Sequence, residues 1–205
     1  MVKDTGERVI PEYMDSMNML LLEHIARYQF ALPYAVGRVL DLSCGAGYGT
    51  HFVTKKRKKQ IDEVIGIDID QDIIEYAKGK YYHPQSSFMV KDATDLTLPN
   101  QIGQFDSILS FETLEHIEDE EKLLKNYHQL LKPGGTLIVS TPFGQGRGVE
   151  CGSPFHVHQL TPEEFRALFT CYTDVSFYYQ DGVLIEPEPP RKGIYYPLGI
   201  AVCKK

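Results

Sequence analysis

The segment VLDLSCGAGYG, from Val39 to Gly49, decides the fold of this chain. It joins an apolar run, which predicts a buried strand, to a turn with glycine at every second position. Glycine lacks a Cβ and tolerates positive φ, so the backbone of this turn can approach a ligand closely. A strand that ends in such a loop is typical of a nucleotide-binding α/β domain. The spacing is G-x-G-x-G, with Thr50 where a dinucleotide fingerprint has its third glycine, which argues against a nicotinamide or flavin cofactor.

Four more apolar segments follow at the intervals that a doubly wound α/β sheet requires. Helix-compatible sequence separates the first pair, and a Lys-Pro-Gly-Gly turn leads into the last segment. Runs of this kind predict strands that are buried on both faces. The segments are 64–68, 88–93, 105–111 and 136–140. We therefore predict a Rossmann-like α/β fold with a mostly parallel sheet and helices on both faces.

Acidic residues stand at the ends of the second and third predicted strands. A carboxylate at Asp68 can accept hydrogen bonds from both hydroxyls of a ribose. Ile69, the next residue, is placed to pack on an adenine face. The pair indicates a ligand that contains adenosine, and Asp92 closes the third strand in the same way.

These landmarks together resemble the class I methyltransferases that depend on S-adenosylmethionine (SAM). The glycine loop with Asp41 resembles their first motif, Asp92 resembles the acid that accepts from the adenine amino group, and LKPGGTLIVST, residues 131–141, is typical of their fifth strand. The resemblance implies a seven-stranded sheet with one reversed strand, and SAM as the cofactor. A Rossmann-like domain for another adenosine compound is the alternative. The cofactor-binding residues that we predict are Arg27, Asp41, Ser43, Gly45, Gly47, Asp68, Ile69, Asp92, Ala93 and Phe111.

A helix is predicted to precede the first strand, from about Pro11 to Leu32. Its apolar residues recur at steps of three and four, at Met14, Met17, Leu21, Ile25, Tyr28 and Leu32. The segments GERVIPE and EHIARYQFA are similar to a helical segment that covers the cofactor in bacterial SAM enzymes. Arg27 and Tyr28 would then reach the cofactor carboxylate. The alternative is that Tyr28 belongs to the core and that Arg27 is a surface charge.

The C-terminal part is predicted to hold one more helix and two closing strands. Thr161-Pro162-Glu163-Glu164 has the pattern of a capped helix start. The strands are predicted at 175–179 and 198–203, with a proline-rich segment between them. They would be the sixth and seventh strands of the sheet.

Acids and histidines follow the fourth and fifth predicted strands, where ligands bind in open α/β sheets. Glu112, Glu115 and His116 have the spacing of one helical turn, and His156 lies in the loop after the fifth strand. Two mechanisms can use this set. His116 or His156, with Glu115 beside them, could act as the catalytic base, because an imidazole titrates near neutral pH. Alternatively, Glu112, Glu115, His116 and His156 could hold a divalent metal that lowers the pKa of an acceptor hydroxyl.

The segment ETLEHIED, residues 112–119, resembles the E-x-x-E-H segment of two methyltransferase groups. These are the ubiquinone-biosynthesis O-methyltransferases and the small-RNA 2′-O-methyltransferases, in which the side chains are associated with a divalent cation. His156, Thr161 and Phe165 match the later H-x-x-x-x-T-x-x-x-F spacing of the RNA enzymes. The chain lacks the basic surface and extra elements expected of an RNA enzyme, and L-E-H is also widespread among methyltransferases that use no metal.

Length and composition predict a single domain over 1–205. With 205 residues and 42% hydrophobic content, the chain can bury one full core. We divide it into an N-terminal helical lid (1–36), a cofactor-binding core (37–142) and a substrate-side loop with the closing strands (143–205). The four cysteines are widely separated and predict free thiols. No apolar run has membrane-spanning length and no signal peptide is evident, so a cytoplasmic protein is expected.

The net charge of the chain indicates which classes of binding partner are expected. The net charge of −7 argues against general binding of nucleic acid. One basic run, Lys55 to Lys59, falls at the predicted end of a helix, where it is either a solvated terminus or a contact for RNA or an anionic surface.

The sequence thus predicts a SAM-dependent methyltransferase that acts on a small-molecule acceptor at oxygen, with neither a membrane nor a nucleic acid as partner. A metal-assisted 2′-O-methyltransferase of RNA ends and a non-catalytic SAM-binding protein are the alternatives. A flat or apolar acceptor is indicated by aromatic residues near the expected mouth of the site, namely Phe143, Phe155, Tyr178, Tyr179, Tyr195 and Tyr196, and core or interface positions are the alternative for the tyrosines.

Overall fold

The computed structural model describes residues 8–205, so the first two residues of the GERVIPE segment lie outside the described residues. Within this range eight strands form one sheet: β1 (Gly37–Leu42), β2 (Ile61–Asp68), β3 (Ser86–Val90), β4 (Phe105–Phe111), β5 (Leu131–Pro142), β6 (Asp174–Asp181), β7 (Leu184–Pro187) and β8 (Leu198–Lys204). The α-helices of the same range are α1 (Met19–Ala31), α2 (Tyr48–Arg57), α3 (Gln71–Lys80), α4 (Leu98–Ile102), α5 (Glu120–Leu130) and α6 (Pro162–Ala167).

The strand order is β3-β2-β1-β4-β5-β8-β6-β7. The first five strands pair in parallel, whereas β8 is antiparallel to both β5 and β6. The predicted Rossmann-like fold with its reversed strand is therefore confirmed. The chain leaves β1 in one direction for β2 and later returns to the other side for β4, so the crevice between β1 and β4 is the topological switch point.

The sheet has eight strands where seven were predicted. Two of them, β7 and β8, run antiparallel to the others, where one reversed strand was predicted. Residues 182 and 183 turn the chain so that β7 pairs antiparallel with β6 at the edge of the sheet. This short hairpin uses the first part of the segment between the two predicted closing strands. Proline is tolerated at an edge because it lacks an N–H for the ladder, and Pro187 ends β7.

Alternate residues of the central strands feed two separate cores, as expected for a sheet covered on both faces. Leu40 and Leu42 of β1 point to one side and join the larger cluster around α4 and α5. Val39 points to the other side, where it packs with Val53 of α2 and Leu109 of β4. These side chains are fully buried, which fixes the strand register and with it the position of the loops at the strand ends.

The predicted start of the N-terminal helix at Pro11 is wrong. Residues Pro11–Tyr13 form a 3-10 turn, and α1 begins at Met19, where the side chain of Asn18 accepts a hydrogen bond from the Leu21 N–H. An asparagine cap satisfies a helix donor that would otherwise be unpaired, and this sets the boundary. Met17 consequently lies outside the helix and is 74% exposed, although the spacing places it on the apolar face.

Most of the remaining elements follow the predictions, but the predicted position of the third strand, 88–93, is wrong, because β3 spans Ser86–Val90. Thr161 and Glu164 form the predicted capping box at the start of α6. The basic run stands at the C-terminus of α2, and β3 ends at Val90, so Asp92 lies in the loop that follows. No helix within residues 8–205 is both long enough and apolar enough to cross a membrane.

Candidate functional site

The carboxyl ends of β1 and β4, which are neighbours in the sheet, carry an unusual backbone. Ser43 has a φ of 62° and Glu112 a φ of 50°, and these are the non-glycine residues with positive φ within residues 8–205. Side-chain-bearing residues adopt this conformation at a cost in free energy, and such positions concentrate at functional sites. The two strained residues flank the switch point and mark it as the candidate site.

The glycine loop rests on a buried carboxylate. Asp41 accepts hydrogen bonds from Tyr28 Oη at 3.1 Å and from Thr50 Oγ1 at 2.6 Å. Burial raises the pKa of Asp41 to about 7, although these two hydrogen bonds favour the ionised form. Asp41 therefore lies beneath the loop and is enclosed by protein groups.

Helix α1 packs directly on the same loop through Tyr28. A Cβ added to Gly49 would lie 1.9 Å from the Tyr28 ring, so the ring occupies the space that any side chain would need. Tyr28 also meets the ring of Phe111 edge-on at 5.0 Å. Tyr28 is buried, in agreement with the alternative that placed it in the core. The Tyr28 hydroxyl donates a hydrogen bond to Asp41, and this contact joins α1 to the end of β1.

The loop leaves room above Gly45. This residue has a φ of +52°, and a Cβ built on it would meet nothing within 4 Å. The Asp68 carboxylate beside it accepts from the Gly45 N–H at 2.9 Å and from the Asp70 N–H at 3.0 Å. Ile69 follows with 69% of its surface exposed. An acid with free lone pairs, an open glycine backbone and an exposed apolar side chain are the groups that an adenosine ligand needs.

The loop after β3 is held from α5. Asn126 is fully buried and donates to the carbonyl of Ala93 at 2.7 Å, while Asp92 accepts from the N–H and hydroxyl of Thr94. Sequence reasoning missed Asn126. The available signal was an amide on the otherwise apolar face of α5, beside Leu123 and Tyr127.

Arg27 is buried, so the interpretation of this residue as a surface charge is wrong. Its Nη1 donates to Gln180 Oε1 at 2.9 Å, and its Nε is buried without a hydrogen-bond partner among residues 8–205. Gln180 in turn donates to the Glu23 carbonyl. The guanidinium thus connects α1 to β6 and retains donor capacity for an anionic group, such as the carboxylate of a cofactor.

A buried acid and two histidines come together after β4. Glu115 is 1% exposed and accepts from Thr141 Oγ1 at 3.0 Å. Burial, together with the nearby Glu112 charge, raises the pKa of Glu115 well above its usual range. His116 Nε2 lies 4.0 Å from Glu115 Oε1, and the His116 and His156 rings are 5.0 Å apart. The three residues offer ligand atoms that all lie within 4.8 Å of one another.

Glu112 does not join these three, and the predicted single helical turn is wrong in this respect. Leu114–His116 form a 3-10 turn, whereas Glu112 precedes it with positive φ and its Oε1 accepts from Ser140 Oγ at 2.9 Å. Of the four predicted metal ligands, the structure therefore brings together Glu115, His116 and His156 only.

The tautomer of His116 follows from its partner. His116 Nδ1 lies 3.0 Å from the Phe155 carbonyl oxygen, which can only accept. Nδ1 must then carry the proton, and the neutral ring has its lone pair on Nε2, on the side of Glu115. The loop after β5, which contains Phe155, is also held by the Val157 N–H, which donates to the Glu115 carbonyl at 2.8 Å.

A cavity of about 410 Å³ adjoins this cluster. Gln159 connects the two, because it lines the cavity and its Nε2 lies 3.1 Å from His156 Nδ1. Of the aromatic residues predicted near the mouth, Phe143 and Tyr195 line the cavity. Tyr179 and Tyr196 belong to the core. The cavity also presents Gln145, Glu150 and Cys151, so its lining mixes rings with polar groups.

Comparison with known proteins indicates the family and the fold of the chain. Residues 40–139 match a family described as "Methyltransferase domain". The chain is 30% identical over 169 residues to a protein of Mycobacterium tuberculosis named "Probable S-adenosylmethionine-dependent methyltransferase", a match that covers 80% of this chain. It is 32% identical over 130 residues, 62% of this chain, to a Xanthomonas campestris "Ubiquinone biosynthesis O-methyltransferase".

A solved structure of a SAM-dependent methyltransferase from Archaeoglobus fulgidus has the same fold. The TM-score is 0.66 at 18% identity, over 90% of this chain and 94% of that one. The two sequence matches cover 58% of the mycobacterial relative and 51% of the Xanthomonas protein, so this chain spans little more than half of the length of these relatives.

Proposed function

We propose that this chain, which carries a class I SAM-dependent methyltransferase domain, transfers the methyl group of SAM to an oxygen atom of a small-molecule acceptor. The observation that carries the proposal is the position of Glu115, His116 and His156. They meet after the carboxyl end of β4, the strand that pairs with β1 and its glycine loop, and beside the cavity that Gln159 lines. Deprotonation of a bound hydroxyl requires a base beside a cavity that can hold the acceptor, and the histidines and the cavity provide these two features.

The residues present fit SAM. Asp68 and Ile69 would hold the adenosine part of SAM, and the backbone at Gly45 would run alongside the cofactor. Arg27 would face the carboxylate of the methionine part. When bound, SAM supplies an electrophilic methyl group and leaves as a neutral thioether. The protein therefore needs to align the acceptor and remove its proton.

His116 is the proposed base. Because Nδ1 donates to the Phe155 carbonyl, Nε2 is free to take the hydroxyl proton of the acceptor. The carboxyl group of Glu115, with Oε1 4.0 Å from this nitrogen, provides a buried polar neighbour for the base. Rigid support comes from Thr141, which holds the Glu115 carboxylate. His156 faces the His116 ring and positions the acceptor from the loop side.

A second candidate is a metal-assisted methyltransferase that acts on RNA ends. It is favoured by the three ligand atoms within 4.8 Å, a mixed nitrogen and oxygen set that suits a divalent transition metal. Glu115, His116 Nε2 and His156 would hold the ion, and the ion would lower the pKa of the acceptor hydroxyl.

One experiment separates these functions. The protein is incubated with SAM carrying a labelled methyl group and a cell extract divided into small-molecule, protein and RNA fractions, each with and without a chelator. Label in small molecules that is insensitive to the chelator is expected for a histidine base. Label on RNA that the chelator abolishes would support the second candidate, and the absence of transfer to every fraction would favour a SAM-binding protein without catalysis.

A further inference from the structure

A second cavity, of about 440 Å³, lies on the outer face of α2 and shares no residue with the Glu115–His116–His156 cluster. Helix α2 buries Gly49, Thr50, Val53 and Thr54 against the sheet, and the cavity is on its other side. Helix α1, the turn at Pro11 and the residue after α3 complete the walls. We call this cavity the α2 groove, and its volume is in the range of small-molecule sites.

Aromatic rings make up most of the α2 groove. Tyr48, His51 and Phe52 of α2 face Tyr28 and Tyr81. The His51 and Tyr81 rings are 5.3 Å apart and inclined at 35°, so they pack against each other as one aromatic wall. A planar aromatic ligand can pack on such a wall.

Two polar atoms in these walls lack partners. Tyr48 Oη and His51 Nδ1 are buried and have no hydrogen bond to any group of residues 8–205. Buried polar atoms are normally paired, and an unpaired one calls for an explanation.

The rim of the α2 groove is positively charged. Lys55 and Lys56 line it, and Lys56 Nζ lies 5.7 Å from the centre of the Phe52 ring. These lysines belong to the basic run at the end of α2 in a chain with a net charge of −7. Interaction with the helix dipole favours basic residues at this position, and two of them also lie at the mouth of the aromatic groove. The charge complements an anionic ligand.

We propose that the α2 groove binds a small aromatic carboxylate, with its ring against the aromatic wall of His51, Phe52 and Tyr81 and its carboxylate at Lys55 and Lys56. This site is separate from the proposed methyl-transfer site and does not depend on the acceptor of that reaction. It shares Tyr28 and Tyr48 with the neighbourhood of the glycine loop, so ligand and cofactor occupy adjoining but distinct places.

The test uses 2-naphthoate as the probe, titrated by calorimetry into the full chain saturated with S-adenosylhomocysteine. The double variant Lys55→Glu/Lys56→Glu should bind at least tenfold more weakly than the wild type. The matched control Lys58→Glu/Lys59→Glu makes the same charge change in the same basic run outside the groove, and its affinity should stay within twofold. Neutral 2-naphthalenemethanol should bind the wild type at least tenfold more weakly than naphthoate.

A second variant, Lys55→Gln/Lys56→Gln, guards against misfolding and should give an intermediate affinity with an unchanged circular dichroism spectrum. Equal weakening in both glutamate variants, or no saturable binding of naphthoate while S-adenosylhomocysteine is saturating, would each overturn the proposal. None of these results depends on methyl transfer, so they leave the proposed function to its own test.

Discussion

At the residue scale, Asp68 is the side chain on which cofactor affinity should depend most. Asp68→Ala removes the proposed ribose acceptor and also the hydrogen bond that fixes the Gly45 N–H. We expect at least a tenfold loss in affinity for S-adenosylhomocysteine, measured by calorimetry, as for a charged hydrogen-bond pair. Asp72→Ala is the control, because it makes the same charge change in the first turn of α3. An unchanged affinity in Asp68→Ala would contradict the assignment of Asp68, at the end of β2, as the residue that binds the ribose.

Asp41 predicts a dependence of stability on pH. Its pKa rises from the ordinary value to about 7 in the folded protein, so between about pH 4 and pH 7 the folded state binds the proton more tightly than the unfolded state. The free energy of unfolding contributed by Asp41 therefore falls as the pH rises through this window. Denaturation of wild type and Asp41→Asn from pH 4 to pH 8 should show the wild type losing stability relative to the variant. A constant difference would show that Asp41 titrates normally.

Several residues of the site could be predicted from sequence because their signals are local. The glycine loop, Asp68 after β2 and the E-x-x-E-H spacing each belong to a short segment. Thr141 and Asn126 could not be found in this way, because their partners Glu115 and Ala93 lie 26 and 33 residues away and meet them only in the folded chain. The positive φ of Glu112, which separates it from the other ligands, likewise has no sequence signature.

At the scale of elements, the contact between α1 and α2 should be intolerant of a single methyl group. Gly49→Ala places a Cβ against the Tyr28 ring, and overpacking of this kind costs about 1–3 kcal/mol. Gly79→Ala in α3 meets nothing within 4 Å and should stabilise the protein by about 0.5–1 kcal/mol. Chemical denaturation of both variants checks the contrast, and similar free energies of unfolding would show that α1 does not pack on the loop as described.

The central strands were predictable, and the elements at the margins less so. Strands β1, β2, β4 and β5 are continuous apolar runs because helices cover both faces, and such runs stand out in a sequence. The start of α1 was misplaced because Met14 and Met17 continue the apolar spacing beyond the cap at Asn18. Strand β7 has four residues, half exposed, and its pairing depends on the neighbouring β6 rather than on its own pattern.

At the scale of the whole molecule, the prediction of a single domain can be tested by unfolding. Contacts from α1 to β6 through Arg27, and from the last residues to β5, tie both ends of the described chain to one sheet. We expect one transition, coincident in near- and far-ultraviolet circular dichroism, because such contacts couple the parts. S-adenosylhomocysteine at 100 times its Kd should raise the free energy of unfolding by about 2.7 kcal/mol. Two transitions, of which only one responds to the ligand, would contradict the prediction.

In the proposed reaction His116 deprotonates the acceptor, His156 positions it, and the glycine loop binds the cofactor. The most direct measurement compares wild type with His116→Ala/His156→Ala for two quantities: transfer of labelled methyl to small molecules and affinity for S-adenosylhomocysteine. We expect the variant to lose at least a hundredfold in transfer, within the range for general acid–base catalysis, and to keep its affinity within threefold. His128→Ala, a histidine on α5, should match the wild type in both. Undiminished transfer by the double variant, or equal losses in transfer and affinity, would contradict the claim.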